Sequence, residues 1–216
     1  MTYYRSIMIE ALGLPPWMFG TVLFLSLFGS SVNIPVTTLE TREPIRTYQN
    51  IRFFGVSWRI PRVEMGVRRT QVMLNLGGGV VPILISLYQL GNSIPECTTD
   101  IITSYLDILV VFVIVTLSTY RNSRLIKGLG IATPMFGPPL TTAFCVVALT
   151  LFHSVSCPTQ VAYVGGTLGA LVGADILNLR KIPDLGAPVV SIGGAGSFDG
   201  IYLTGLISVV LVLLLV

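Results

Sequence analysis

Long apolar stretches alternate with short basic segments along this chain. Five stretches of 20 or more residues contain no Lys, Arg or Glu, and the longest runs from residue 128 to residue 174. A helix needs about 20 apolar residues to cross a bilayer core of about 30 Å, so the longest stretch has room for two crossings. The pattern predicts an all-α bundle of about six transmembrane helices in a single transmembrane domain, residues 1–216. The predicted spans are 14–36, 72–91, 101–120, 129–152, 160–179 and 188–216.

The one long polar segment, residues 37–71, has its own pattern. Its apolar residues Ile51, Val56, Trp58 and Ile60 lie among arginines, which favours short strands or a β-ribbon at a membrane interface. Two interpretations stay open for this loop. It is either a collar against anionic lipid headgroups or a docking site for a partner.

Composition and charge support the membrane interpretation. Apolar residues make up 52% of the chain and charged residues 11%, with a mean hydropathy of +0.81, which excludes a secreted or cytosolic enzyme. Twelve of the 13 basic residues lie in the segments after the first, third and fifth predicted spans. By the positive-inside rule these segments are cytoplasmic and both termini face outward. The expected location is the cell membrane and the expected partner is the lipid bilayer, with no nucleic-acid partner.

Three aspartates fall inside the predicted spans and are the candidate catalytic or ion-binding residues. An ionisable group at membrane depth is costly and is therefore a functional hypothesis. Asp175 and Asp199 lie on consecutive antiparallel spans, so we expect them to form the functional, catalytic pair. Asp107 lies about 13 Å from Asp175 along the membrane normal and is a secondary acid.

Glycine, proline and asparagine residues surround these acids in the sequence. Gly193–Gly196 weakens the last helix and marks either a site or a tight crossing, and the three prolines near residue 136 predict an interrupted helix with freed carbonyls. Tolerated kinks and close helix packing are the structural alternatives. Gly165, Gly166, Gly169 and Gly173, at near-helical spacing, favour close packing. The predicted substrate or ion path comprises Gly193, Gly194, Gly196, Pro134, Pro138, Pro139, Asn33 and Asn75.

The cysteines and the single histidine give structural hypotheses. Cys97 and Cys157 lie in the two predicted outer loops, where a disulfide is expected if the two residues meet. Cys145 lies inside a span. His153 has no second histidine or acid beside it in the sequence, so we assign it a structural role, and we expect no metal site and no cofactor.

Several strings carry a family resemblance. SIGGAGSFDGIYLTG, VGADIL and ATPMFGPPL, with SSVNIP and LNLGGGVVP nearer the start, resemble an uncharacterised prokaryotic membrane-protein family, domain of unknown function 1614, nearly end to end. This resemblance implies no activity. A weaker likeness is to presenilin-type intramembrane aspartyl proteases. It implies that two aspartates on neighbouring helices act together, but Val172-Gly173-Ala174-Asp175 lacks the first glycine of their Gly-x-Gly-Asp motif, and their Pro-Ala-Leu motif is absent.

Three functions remain as hypotheses. The first is an intramembrane aspartyl protease-like hydrolase that cleaves a membrane peptide, with one carboxyl as acid and the other activating water. The alternative is a proton- or sodium-coupled secondary transporter that loads its ion on the same two acids. The second alternative is a non-catalytic structural membrane subunit, so enzymatic activity stays an open question.

Overall fold

The computed structural model describes residues 5, 7–126, 130–182, 187–194 and 200–216, which form a helical body and a long β-ribbon. The body is built from α-helices that short π-helical turns extend at several ends. The α-helices are α1 (Pro16–Gly29), α2 (Val81–Tyr88), α3 (Ile94–Cys97), α4 (Ile101–Asn122), α5 (Gly137–Phe152), α6 (Pro158–Leu171) and α7 (Gly200–Leu215). The π-helical turns are Ile7–Ala11, Leu76–Val80, Gln89–Ser93 and Val172–Ile176, and a 3-10 turn follows at Leu179–Lys181.

The ribbon is a single antiparallel hairpin of strands β1 (Asn33–Phe53) and β2 (Val56–Asn75). At about 3.4 Å per residue each strand is roughly 65–70 Å long. A two-residue turn joins them, and both of its residues have positive φ, 50° at Phe54 and 79° at Gly55. Turns of that kind match the twist of a hairpin.

The base of the ribbon is tied into the body. Strand β5 (Val189–Ile192) pairs in parallel with β2, giving the sheet order β1-β2-β5, and Thr70 Oγ1 donates a hydrogen bond of 2.8 Å to the carbonyl of Ala187. Val72 is buried there. Strands β3 (Arg124–Ile126) and β4 (Gly130–Ala132) form a second, short hairpin between α4 and α5.

The prediction of an all-α bundle of about six spans is wrong. Among the described residues, only Ile101–Asn122 and Pro158–Lys181 are helices long and apolar enough to cross a membrane. The apolar helices α1, α5 and α7 are shorter, because strand residues occupy one end of predicted spans 14–36, 129–152 and 188–216. Span 72–91 likewise begins within β2. A stretch without charges limits polarity but does not distinguish a helix from a strand, and the predicted short strands of 37–71 are the middle of a continuous ribbon.

Glycines set the helix spacing, as their sequence positions predicted. Helices α4 and α6 run parallel, with Gly165 against Val111 and Gly169 against Val115. An ideal Cβ on either glycine would lie 2.7–2.9 Å from the nearest valine carbon. Such close approach of small residues is typical of helices that associate in membranes.

The helical body buries polar side chains beside its apolar core and exposes many large apolar ones. Hydroxyl and amide side chains are buried between helices, whereas many large apolar side chains face outward. The buried polar group includes Ser26, Ser86, Gln89, Ser104, Thr116, Thr142, Thr167 and Ser208, and the exposed apolar group includes Phe24, Leu84, Leu106, Leu109, Leu117, Phe144, Leu151 and Leu213. Exposed apolar surface on this scale is typical of a surface that contacts another protein or a membrane.

Candidate functional site

A cavity at the ribbon end of the body is lined by Asp175. Its volume is about 300 Å³, and helices α4, α6 and α7 line it together with the segment from β4 to α5. Thr119, Thr133 and Thr204 also line it. The site therefore places one half-buried acid near three threonines, at the end of the body where the basic residues Arg180 and Lys181 also lie.

The backbone around Asp175 is held from two sides. Asp175 lies in the π-helical turn Val172–Ile176 that continues α6. Asn178 Nδ2 donates to the Ala174 carbonyl at 2.9 Å, and Gly173 packs directly against the backbone carbonyl of Thr116. These contacts fix the turn and so fix the backbone position of Asp175 at the cavity.

The threonine hydroxyls are differently engaged. Thr204 Oγ1 donates to the Gly200 carbonyl at 2.5 Å, and Thr133 Oγ1 lies 3.0 Å from Ser123 Oγ. Thr119 Oγ1 is buried and has no hydrogen-bond partner among the described residues. A buried hydroxyl without a hydrogen-bond partner destabilises the packing around it by about 1–3 kcal/mol.

A second cavity, of about 260 Å³, adjoins the first. Both are lined by Thr119, Thr133, Pro134 and Pro138, and the second also reaches Ser118 and Asn122 near the end of α4. The shared wall makes a run of polar groups from the end of α4 to Asp175.

Three prolines of the predicted substrate or ion path lie at or beside the Asp175 cavity. Pro134 and Pro138 line the Asp175 cavity, whereas Pro139 lies beside them in the first turn of α5. The prolines start α5 rather than interrupt a helix, because the first turn needs no N–H from them. The carbonyl of Pro138 accepts a hydrogen bond from Thr142 Oγ1 at 2.8 Å, so it is not freed as expected.

The predicted partner of Asp175 cannot be placed. Asp199 and Gly196 lie outside the described residues, so the Asp175–Asp199 pair stays a prediction. Gly200, which follows Asp199 in the sequence, lines the cavity that contains Asp175.

Asn33 and Asn75 lie at the base of the ribbon and do not line either described cavity near Asp175. They face each other across the strands, and Asn75 Nδ2 donates to Asn33 Oδ1 at 3.1 Å and to the Ser30 carbonyl at 2.7 Å. Asn75 Oδ1 also accepts from the Gly78 N–H at 2.9 Å, which caps the helical turn after β2. Their roles in the structure are therefore those of a strand pair and a helix cap.

Gly193 and Gly194 form a tight crossing. Gly193 has φ +70°, and an ideal Cβ on it would lie 2.5 Å from Gly79 Cα. Only glycine combines that backbone angle with so close a neighbour. This is the packing alternative considered from the sequence, and neither glycine lines a described cavity around Asp175.

Asp107 has a partner that sequence reasoning missed. His153 Nε2 lies 3.0 Å from Asp107 Oδ1 and 3.1 Å from Oδ2, and Asp107 is only 4% exposed. The two residues are 46 positions apart, so adjacency in the sequence gave no signal, but they lie near the facing ends of antiparallel helices α4 and α5. Asp107 is twelve residues from Thr119 on α4, or about 18 Å from the level of the Asp175 cavity.

The end of the body that holds this pair also contains the disulfide. Cys97 and Cys157 are bonded, with their Cα atoms 6.2 Å apart, and they join α3 to the start of α6. Cys145 is buried and free. Asp100 caps α4 nearby: Thr103 donates to it from its hydroxyl at 2.6 Å and from its backbone N–H at 3.3 Å. These two hydrogen bonds hold the pKa of the Asp100 carboxyl below its usual 3.8, and the bond from the hydroxyl has the larger effect.

Comparison with known proteins identifies a family. A family model described as "Protein of unknown function (DUF1614)" matches residues 27–211, which confirms the resemblance seen in the sequence motifs. No curated protein and no solved structure matches the chain.

Proposed function

This chain belongs to the DUF1614 family of proteins of unknown function, and we propose that it is a multi-pass membrane protein in which Asp175 binds a proton or a sodium ion during coupled transport. The observation that carries the proposal is the cavity of about 300 Å³ that Asp175 lines together with three threonines.

The outward-facing apolar side chains of the helical body support residence in the membrane. Among the described residues two helices are long and apolar enough to cross a bilayer, and large apolar side chains face outward on the shorter helices as well. Close packing of α4 and α6 through glycines is typical of helices that associate within lipid. An aqueous surface of this composition would aggregate.

Charge and the disulfide support an orientation. The ribbon and the ends of α4 and α6 carry the basic residues, which favours the cytoplasmic side for that end of the body. The Cys97–Cys157 disulfide lies at the opposite end, where an oxidising compartment would preserve it. In this orientation the start of α1 and the end of α7 face outward, and the Asp175 cavity opens in the cytoplasmic half.

The size and chemistry of the cavity favour an ion over a peptide. Water occupies about 30 Å³ per molecule in the liquid, so the volume suits a small cation with several waters. Carboxylate and hydroxyl oxygens are ligands that hard cations prefer. An extended peptide of four residues is about 13 Å long and would need an open groove.

An intramembrane aspartyl hydrolase is the second candidate. It needs a second carboxyl near Asp175, and the residue that the sequence suggests for that role, Asp199, lies outside the described residues. Two carboxyls within a few ångströms would share one proton, as an acid–base pair requires.

Flux through reconstituted protein tests the proposal. Purified wild-type chain in liposomes is expected to carry protons, read by an internal pH dye, or ²²Na⁺, down an imposed gradient. Asp175→Asn should abolish that flux because it cannot ionise, and Asp175→Glu should retain part of it. The matched control is Asp107→Asn, an acid on the other side of the body, which should leave flux intact in protein that elutes as folded material.

Three results would decide against coupled transport. Flux in folded Asp175→Asn equal to wild type would remove Asp175 from the path. Cleavage of a membrane-spanning peptide by wild type but not by Asp175→Asn, without ion flux, would move the assignment to the hydrolase. If folded wild-type protein shows neither ion flux nor peptide cleavage, the remaining hypothesis is that of a non-catalytic structural membrane subunit.

A further inference from the structure

The outer part of the ribbon presents an amphipathic surface that nothing in the described chain covers. A two-stranded ribbon is marginally stable alone in water, and side chains here are exposed on both faces. Apolar residues gather at its end in a set that we name the tip cluster. The tip cluster comprises Ile51, Phe54, Val56, Trp58 and Ile60.

The tip cluster is organised by the strand register. Ile51 pairs with Trp58 across the hairpin, so their side chains share one face, and Val56 and Ile60 lie on that face at alternate positions. Phe54 is in the turn and is 92% exposed, and Trp58 is 60% exposed. The end of the ribbon is thus an apolar wedge, with Phe54 at its tip and Trp58 farther back along the strand.

Basic residues flank this wedge without acidic neighbours. Residues 44–63 contain four arginines and no Asp or Glu. Arg62 pairs with Glu64 at 3.8 Å, whereas Arg52 and Arg59 form no ion pair with any described residue. Arg52 and Arg59 lie on the face opposite Trp58, across from Ser57 and Asn50. The tip therefore presents two available guanidinium groups next to apolar side chains.

Distances along the hairpin match the layers of a lipid surface. Arg52 lies two residues from Phe54, about 7 Å from the tip, and Trp58 and Arg59 lie about 10–14 Å from Gly55. Interfacial elements bury apolar groups about 5–10 Å into the boundary between headgroups and acyl chains. With Phe54 and Val56 at that depth, both arginines reach the phosphates and Trp58 lies in the interface, where tryptophan is enriched.

The edges of the ribbon argue against strand addition by another chain. Pro44 in β1 and Pro61 in β2 lack the N–H that an added strand would need, and the arginines repel a second copy of the same ribbon. An anionic lipid satisfies both halves of the surface, since its phosphate binds arginine and its acyl region accepts the wedge.

We propose that the tip of this ribbon, residues 51–60, inserts into the headgroup region of an anionic phospholipid membrane. The surface is separate from the Asp175 cavity, and its test does not use ion flux.

Tryptophan fluorescence of the full chain provides the test. Trp17→Phe leaves Trp58 as the only tryptophan, so its emission reports the tip alone. The protein is placed in nanodiscs of phosphatidylcholine alone or with 30% phosphatidylglycerol, with brominated acyl chains as quencher. In a second arm, vesicles of the same two compositions carry the quencher and are added to unbrominated nanodiscs, which distinguishes the host bilayer from a neighbouring one.

We expect a blue shift and quenching of Trp58 with phosphatidylglycerol in one of the arms. Each arginine near such a surface raises partitioning of the tip into the membrane about fivefold, so the double variant Arg52→Gln with Arg59→Gln should lower that partitioning about 30-fold. Phe54→Ser should also weaken the quenching of Trp58. The matched control is Arg69→Gln, at the base of the ribbon, where Arg69 pairs with Glu40 at 2.9 Å. This variant should leave the quenching of Trp58 unchanged.

Two outcomes overturn the proposal. One is water-like, unquenched Trp58 emission in both arms and both lipids. The other is a blue shift that grows with protein concentration but shows no quenching by brominated lipid, which would assign the tip to contact between copies of the chain.

Discussion

Adding one methyl group between α4 and α6 should destabilise the protein, because the cost of overpacking exceeds the gain in helix propensity. In Gly169→Ala the new Cβ would lie 2.9 Å from Val115 Cβ and 3.0 Å from the Phe112 carbonyl oxygen. Ordinary carbon contacts are 3.5–4.0 Å, so the helices must separate by about 0.5–1 Å. Neither neighbour is the flexible end of a side chain, so the contact cannot relax locally.

The size of the effect follows from two opposing contributions. Overpacking costs about 1–3 kcal/mol, and this site belongs at the upper end because backbone and a branched carbon are the neighbours. Replacing glycine by alanine inside a helix gains about 1 kcal/mol. The free energy of unfolding should therefore fall by about 2 kcal/mol.

Gly20 in α1 provides the matched control. It is also helical, and nothing lies within 4 Å of the position of an added Cβ. Gly20→Ala should raise the free energy of unfolding by up to about 1 kcal/mol. Unfolding by a denaturing detergent in mixed micelles, followed by pulse proteolysis, would measure both variants. Equal stabilisation by the two substitutions would refute the account of how α4 and α6 pack.

Two further predictions concern the end of the body that holds the disulfide. His153→Ala leaves the buried Asp107 side chain without its partner and should lower the free energy of unfolding by about 1–3 kcal/mol, at the lower end because the His153 side chain is 37% exposed. Replacing both residues by Leu should recover most of this loss. A double variant as unstable as the single one would contradict the pairing. Because hydrogen bonds from Thr103 lower the folded-state pKa of Asp100 below 3.8, the cap contributes stability above that pH and loses it as pH falls through the lower folded value. Thermal unfolding of wild type and Asp100→Ala between about pH 5 and pH 2.5 should therefore converge at the acid end, and parallel curves would argue against the cap.

The sequence predicted the helical body better than the ribbon, for a physical reason. Hydropathy reports the apolar environment of residues such as Val111 and Val115, and glycine spacing reports how closely helices approach. Residues 33–36 are equally free of charge but are strand, since their conformation depends on pairing with residues 73–75, which hydropathy does not register.

The candidate site shows the same limit. Pro134 and Pro138 stand out by residue type, and both line the cavity with Asp175. Thr119 and Thr204 were missed because single threonines are ordinary in apolar helices, and only packing brings them to Asp175. The Asp107–His153 pair required knowing which ends of two helices meet.

The parallel pairing of β2 with β5 imposes an order on assembly. The hairpin closes through a two-residue turn, and the pairing of its two strands needs only residues 33–75, so it can form as soon as residue 75 is free. The hydrogen bond from Thr70 to Ala187 spans 117 residues. At about 5–20 residues per second, the strand that completes the sheet is synthesised about 6–23 s later. During that interval the edge of β2 that later binds β5 is uncovered, so the newly made chain is most open to mispairing at this edge.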